Sequence, residues 1–115
     1  MEAAPDPLSW AEFTKVDMRI GTIVAAEPFA EARNPSYKLR IDFGELGERK
    51  SSAQLTDLYA PADLIGRQVV AVVNFPPKQI ATMMSECLVL GSLGTDKAVT
   101  LLQPERRVAN GLRIG

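Results

Sequence analysis

From Tyr37 to Phe43 apolar and polar residues alternate without a break. Tyr37, Leu39, Ile41 and Phe43 fall on one side, and Lys38, Arg40 and Asp42 on the other. Successive side chains of a strand point to opposite faces, so a period of two marks a strand buried on one face only. Lys50–Leu55 repeats the pattern, with Lys50, Ser52 and Gln54 facing one way and Ser51, Ala53 and Leu55 the other. The segment between them, Gly44-Glu45-Leu46-Gly47-Glu48-Arg49, carries two glycines and reads as a hairpin loop. The two strands are predicted to pair and to present a cationic, hydrogen-bonding outer surface.

Other stretches carry the same signal. Val16 to Val24 alternates, with Val16, Met18, Ile20 and Val24 predicted inward and Asp17 and Arg19 outward. Gly21 interrupts it, as a bulge or a close backbone approach would. Pro28 ends that strand, and Glu31-Ala32-Arg33-Asn34-Pro35 is a loop into the next. Val69–Val73 is a continuous apolar run rich in β-branched residues, predicting a strand buried on both faces. Phe75-Pro76-Pro77 stops it, because proline cannot donate to a ladder. Leu88–Leu90 and Val99–Leu102 are further short strands, and Asn110-Gly111 between Val108 and Leu112 predicts a hairpin.

Helical signals are few. Ser9-Trp10-Ala11-Glu12 fits a capping box opening a short helix over 10–15, with Trp10 and Phe13 on one side. So short a helix needs a surface to dock on, either its own core or a second subunit. Thr56–Ala60 reads as a helical turn, and Pro61 opens another that Gly66 ends. Short strands, one short mid-chain helix and no βαβ rhythm predict an all-β fold, a five-stranded Greek-key barrel of the OB type. Such barrels bind oligonucleotides on the face of strands two and three. Lys38, Arg40, Lys50, Ser52 and Gln54 fall on that face.

Composition narrows the function. At 115 residues and 46% hydrophobic content the chain fits one domain, over 9–115, behind a flexible arm over 1–8. With 13 basic and 14 acidic residues it lacks the excess of a protein that coats nucleic acid unselectively. Any nucleic-acid contact must rest on a local patch. The absence of histidine removes the commonest general base and metal ligand. One cysteine, Cys87, makes no usual zinc site and reads as a small buried apolar residue in a reducing compartment. No Gly-rich phosphate loop precedes a helix, and neither Ser51-Ser52 nor Ser85-Glu86 has a base beside it. We therefore expect no catalysis, no cofactor and no metal. No apolar run reaches the roughly 18 residues that span a bilayer. Met1–Pro7 is acidic and lacks the core of a secretory signal, so a cytoplasmic protein is expected.

Several segments together resemble a family. Val16-Asp17-Met18-Arg19-Ile20-Gly21 resembles the V-D-x-R-x-G opening of the tRNA-binding domains appended to some methionyl- and tyrosyl-tRNA synthetases. Asn74-Phe75-Pro76-Pro77-Lys78 and Ser85-Glu86 resemble that family's later signature. The chain is most similar to the stand-alone CsaA proteins, export-related chaperones, through Glu31–Arg33, Tyr37–Gly44, Ser51–Thr56, Val70–Pro77, Leu88–Gly91, Leu101–Pro104 and Asn110-Gly111. The resemblance implies an OB barrel that forms a homodimer through its N-terminal helix, with Trp10 and Phe13, and through extra C-terminal strands. It implies two partners, tRNA and unfolded secretory polypeptides. Arg33, Lys38, Lys50, Ser51, Ser52, Asn74, Lys78, Ser85 and Glu86 match positions in or beside the family's ligand groove, and Arg40 joins them from the strand face.

The chain departs from its relatives after Lys78, where Gln79, Thr82 and Met84 stand in place of basic residues and a glycine. A less cationic loop makes fewer phosphate contacts. Phe75, Ile80, Met83 and Met84 are candidates for an apolar peptide site, methionine being an adaptable surface. The alternative for one of the methionines is a place in the core.

Overall fold

The computed structural model describes residues 6–115. The expected arm over 1–8 lies mostly outside them. The fold is an antiparallel five-stranded barrel, nearly closed, with strand order β3-β2-β1-β4-β7. β1 (Met18–Pro28) is shared between two neighbours: Met18–Thr22 pairs with β4 (Gln68–Val72), and Thr22–Pro28 with β2 (Tyr37–Asp42). β2 pairs in turn with β3 (Glu48–Ala53), and β4 with β7 (Leu88–Val89). Four short strands lie outside the barrel sheet, as the β5–β6 (Lys78–Ile80, Met83–Ser85) and β8–β9 (Gly91–Leu93, Val99–Leu101) hairpins. No helix among the described residues is long and apolar enough to cross a membrane.

The core follows from the alternation. Ile23, Leu39, Ile41, Phe43, Leu64 and Val69 are almost wholly buried, and all of Gln68–Val72 is buried. Burying each large aliphatic side chain is worth roughly 1.5–3 kcal/mol. Gly21 is a close approach: a Cβ there would lie 2.6 Å from Ile41 Cγ2 and 2.7 Å from the Phe43 ring. The bulge falls further on, between Ile23 and Ala25. Gly21 and Ile23 face the core, so Val24, next to Ile23, faces outward and is exposed rather than inward, as is Val16, which precedes the strand.

Asn110-Gly111 turns, but makes no hairpin. Gln68 clamps the incoming arm, donating to the Val108 carbonyl at 2.7 Å and accepting the Val108 N–H at 3.1 Å. The outgoing arm docks on β1 instead, where Ile20 N–H donates to Leu112 O and Ile114 N–H to Met18 O. α1 (Trp10–Lys15) carries the expected capping box between Ser9 and Glu12, and none of its residues is buried. It is tied to the C-terminal segment by Arg113 Nη2, which donates to the Thr14 carbonyl at 2.8 Å. α2 (Pro61–Leu64) buries Leu64 under the barrel.

Candidate nucleic-acid interface

A cleft of about 580 Å³ opens between the β1–β2 loop, the outer end of β3 and the β5–β6 hairpin. Arg33, Ser52, Lys78 and Ser85 line it, together with Phe75 and Ile80. Residues expected to hold RNA and residues expected to hold peptide thus share one site. Arg33 and Lys78 are exposed and form no ion pair among the described residues. Lys78 stands opposite Ser85 in the hairpin ladder. The Ser85 hydroxyl oxygen accepts the Ser52 N–H at 3.2 Å, fixing the hairpin to the barrel edge.

A second depression is lined by Lys38, Arg40 and Lys50, by Glu27, which stands opposite Lys38, and by the buried Met83. Arg40 and Lys50 are directly opposed across β2 and β3. Like charges so placed repel, which costs stability and attracts an anion. Lys50 has no carboxylate partner among the described residues, and Arg40 meets Glu48 only at 3.8 Å with both groups more than half exposed. Such pairs are worth little. Lys38 Nζ is more constrained, 3.7 Å from Glu31 Oε2 and 4.9 Å from the Phe29 ring centroid. Glu31 also accepts the Thr82 hydroxyl at 3.2 Å, so one carboxylate joins loop, strand and hairpin.

Four expected site residues have structural duties instead. Ser51 points into the barrel, where it is buried and donates to the Cys87 carbonyl at 3.0 Å; its inward parity on β3 makes this unavoidable. Asn74 is spent on a clamp: its Oδ1 accepts the Asp17 N–H at 2.9 Å and its Nδ2 donates to the Lys15 carbonyl at 2.6 Å. Glu86 turns its carboxylate to the Lys50 main chain and does not line the cleft. Met83 is buried, taking the core place held open for one methionine, while Met84 is exposed but outside the cleft. Asn34, Ser36 and Leu88 also line the cleft and carried no sequence signal, whereas Gln54, placed on this face by its shared parity with Lys50 and Ser52, lines it too.

In α1, Trp10 is 82% exposed, which rules out packing of its indole on its own core. Trp10 and Phe13 meet edge to face, with centroids 6.2 Å apart. Beside them a shallow groove is lined by Phe13, Val16 and Ile114.

Barrel and cleft define a small OB-type domain with a cleft of mixed cationic and apolar lining. The family described as "Putative tRNA binding domain" matches residues 18–113, and the chain belongs to it. Within it the chain stands with the CsaA proteins. Chaperone CsaA of Bacillus anthracis is 52% identical with a TM-score of 0.91, covering 95% of this chain and 99% of that one. The CsaA chaperone protein of Picrophilus torridus is 44% identical with a TM-score of 0.88, covering 95% and 100%. Methionine--tRNA ligase of Chlorobium chlorochromatii is 36% identical over 104 residues, which are 90% of this chain but 14% of the ligase. The chain therefore spans a small fraction of the curated ligases it matches.

Proposed function

We propose that this chain is a cytoplasmic, non-catalytic homodimer that binds tRNA through the cleft and the adjoining β2–β3 face, and that it also acts as an export-related chaperone. One observation carries the reading: Arg33 and Lys78, both without ion-pair partners among the described residues, flank a cleft that also offers Ser52, Ser85 and Phe75. The cations capture phosphates, and the polar groups bond ribose or a loop base. Phe75, half exposed, offers a stacking face for an unstacked base. Lys38, Arg40 and Lys50 extend the cationic track. Dimerisation through Trp10 and Phe13 would cover the exposed indole and double the footprint.

A second reading, a peptide chaperone without a tRNA role, is favoured by the apolar wall of Phe75, Ile80 and Leu88 in that cleft. The test is competition. Labelled tRNA is titrated by anisotropy at moderate salt, then challenged with an unfolded secretory polypeptide and with heparin. Saturable binding that the polypeptide displaces supports one shared site. Weak binding equal for every polyanion overturns the tRNA reading.

A further inference from the structure

A second cationic groove shares no residue with the cleft. It encloses about 400 Å³ and is lined by Arg67, Arg106 and Arg107 with Gln68 and Gln103. Arg67 lies 5.2 Å from the Tyr59 ring centroid and donates to Gln103 Oε1 at 3.4 Å. Arg107 Nη1 donates to the Gly66 carbonyl at 3.0 Å. These acceptors are neutral, so they orient the guanidinium groups without cancelling their charge. Two carboxylates, Asp63 and Glu105, line the groove as well, so its lining carries three positive charges against two negative ones. Asp63 accepts the Ala60 N–H at 2.9 Å, and Glu105 pairs with Arg106 at 2.9 Å where both side chains are at least 72% exposed. Each guanidinium carries five N–H donors in a fork that fits phosphate oxygens, so most donors remain unspent.

We propose that Arg67, Arg106 and Arg107 form a second phosphate-binding groove that takes the phosphodiester backbone of an RNA. This rests on the RNA reading above, but uses different residues. Roughly a dozen nucleotides at about 3.4 Å per phosphate match the 40 Å length of the protein, so one RNA can reach both sites.

The test compares the salt dependence of tRNA binding for wild type, R67Q/R106Q/R107Q, and R33Q/K50Q/K78Q. Three lost phosphate contacts should flatten the slope of log K against log salt by about 2. The R67K/R106K/R107K variant should keep most of that slope. Arg67 and Arg107 also bond structural acceptors, so R106E, whose side chain bonds only Glu105, serves as the variant that spares the fold. It should weaken tRNA binding at an unchanged melting temperature. Wild-type affinity and slope in both arginine variants overturn the groove, even where R33Q/K50Q/K78Q abolishes binding. Loss confined to the arginine variants supports the groove and removes the cleft from the tRNA reading. Arginine-dependent binding to phosphatidylglycerol vesicles, with none to tRNA, overturns the assignment to RNA.

Discussion

Glu86 holds the Lys50 main chain at both its polar groups: Glu86 N–H donates to the Lys50 carbonyl at 2.8 Å, and the Glu86 side-chain Oε1 accepts the Lys50 N–H at 2.9 Å. This reciprocal pair, with the Ser51–Cys87 bond, closes the seam between β3 and the segment before β7. It also sets a negative charge beside the cationic face. Glu86→Gln keeps an oxygen acceptor and removes the charge, so it should raise tRNA affinity about two- to threefold, as for a weakly screened surface charge. Glu86→Ala removes the acceptor and should cost about 1 kcal/mol in urea unfolding. Weaker tRNA binding by Glu86→Gln would instead give the carboxylate a direct role in the site.

Gly21 packs under two immovable neighbours. The Cβ of Gly21→Ala would lie within 2.7 Å of Ile41 and Phe43, both wholly buried. Overpacking of this kind costs about 1–3 kcal/mol, and the tightness of the site puts the expectation near the upper figure. Denaturant melts read it directly. A change below about 0.5 kcal/mol would mean the barrel yields more readily than its packing implies.

Asp17 should stabilise the protein above the acid range and not within it. Its hydrogen bond from Arg19, with Arg113 and Arg49 nearby, holds its carboxyl below the ordinary aspartate value, against a smaller opposing effect of burial. A depressed native pKa gives stability that is present above the unfolded value of about 3.9 and lost as pH falls through the native one. Asp17→Asn should therefore melt lower than wild type at pH 7. The gap should close as the pH falls below about 4. A gap of constant size from pH 7 to pH 2 would show that packing, not charge, accounts for it.

Cys87 should be inert. Burial pushes its thiol up to about 11, and its Sγ lies 3.8 Å from the Lys50 carbonyl. The thiolate is the reactive form, so an aromatic disulfide reagent at pH 8 should label it slowly, and at full rate only in denaturant. The sign for stability follows from the raised value. The contribution is intact below pH 9.0 and is lost as pH rises toward about 11. Immediate labelling of the native protein would contradict the burial.

The barrel was legible because parity is a strong code. The alternation in Tyr37–Phe43 and Lys50–Leu55 gave the β2–β3 pair and its cationic face, and Val69–Val73 gave the central buried strand. Parity alone does not say which set of residues faces inward: in β1 the Gly21 and Ile23 positions face the core, and Val24, expected inside, is exposed. Asn110-Gly111 carried a true turn signal, but the long-range clamp by Gln68 decided where its arms went. The site was half legible. Arg33, Ser52, Lys78 and Ser85 converge, whereas Ser51 and Asn74 match family positions that serve the fold. Ser51 was already marked inward by its own alternation.

The central claim is that the cleft beside β3 receives tRNA, and amide hydrogen-exchange mapping of the protein with and without tRNA tests it most directly. Protection is predicted in the β1–β2 loop around Arg33, at Ser52–Gln54 and through Lys78–Ser85, with R33Q/K50Q/K78Q abolishing it. Protection confined to residues outside these segments, with the cleft unchanged at saturating tRNA, would contradict the account.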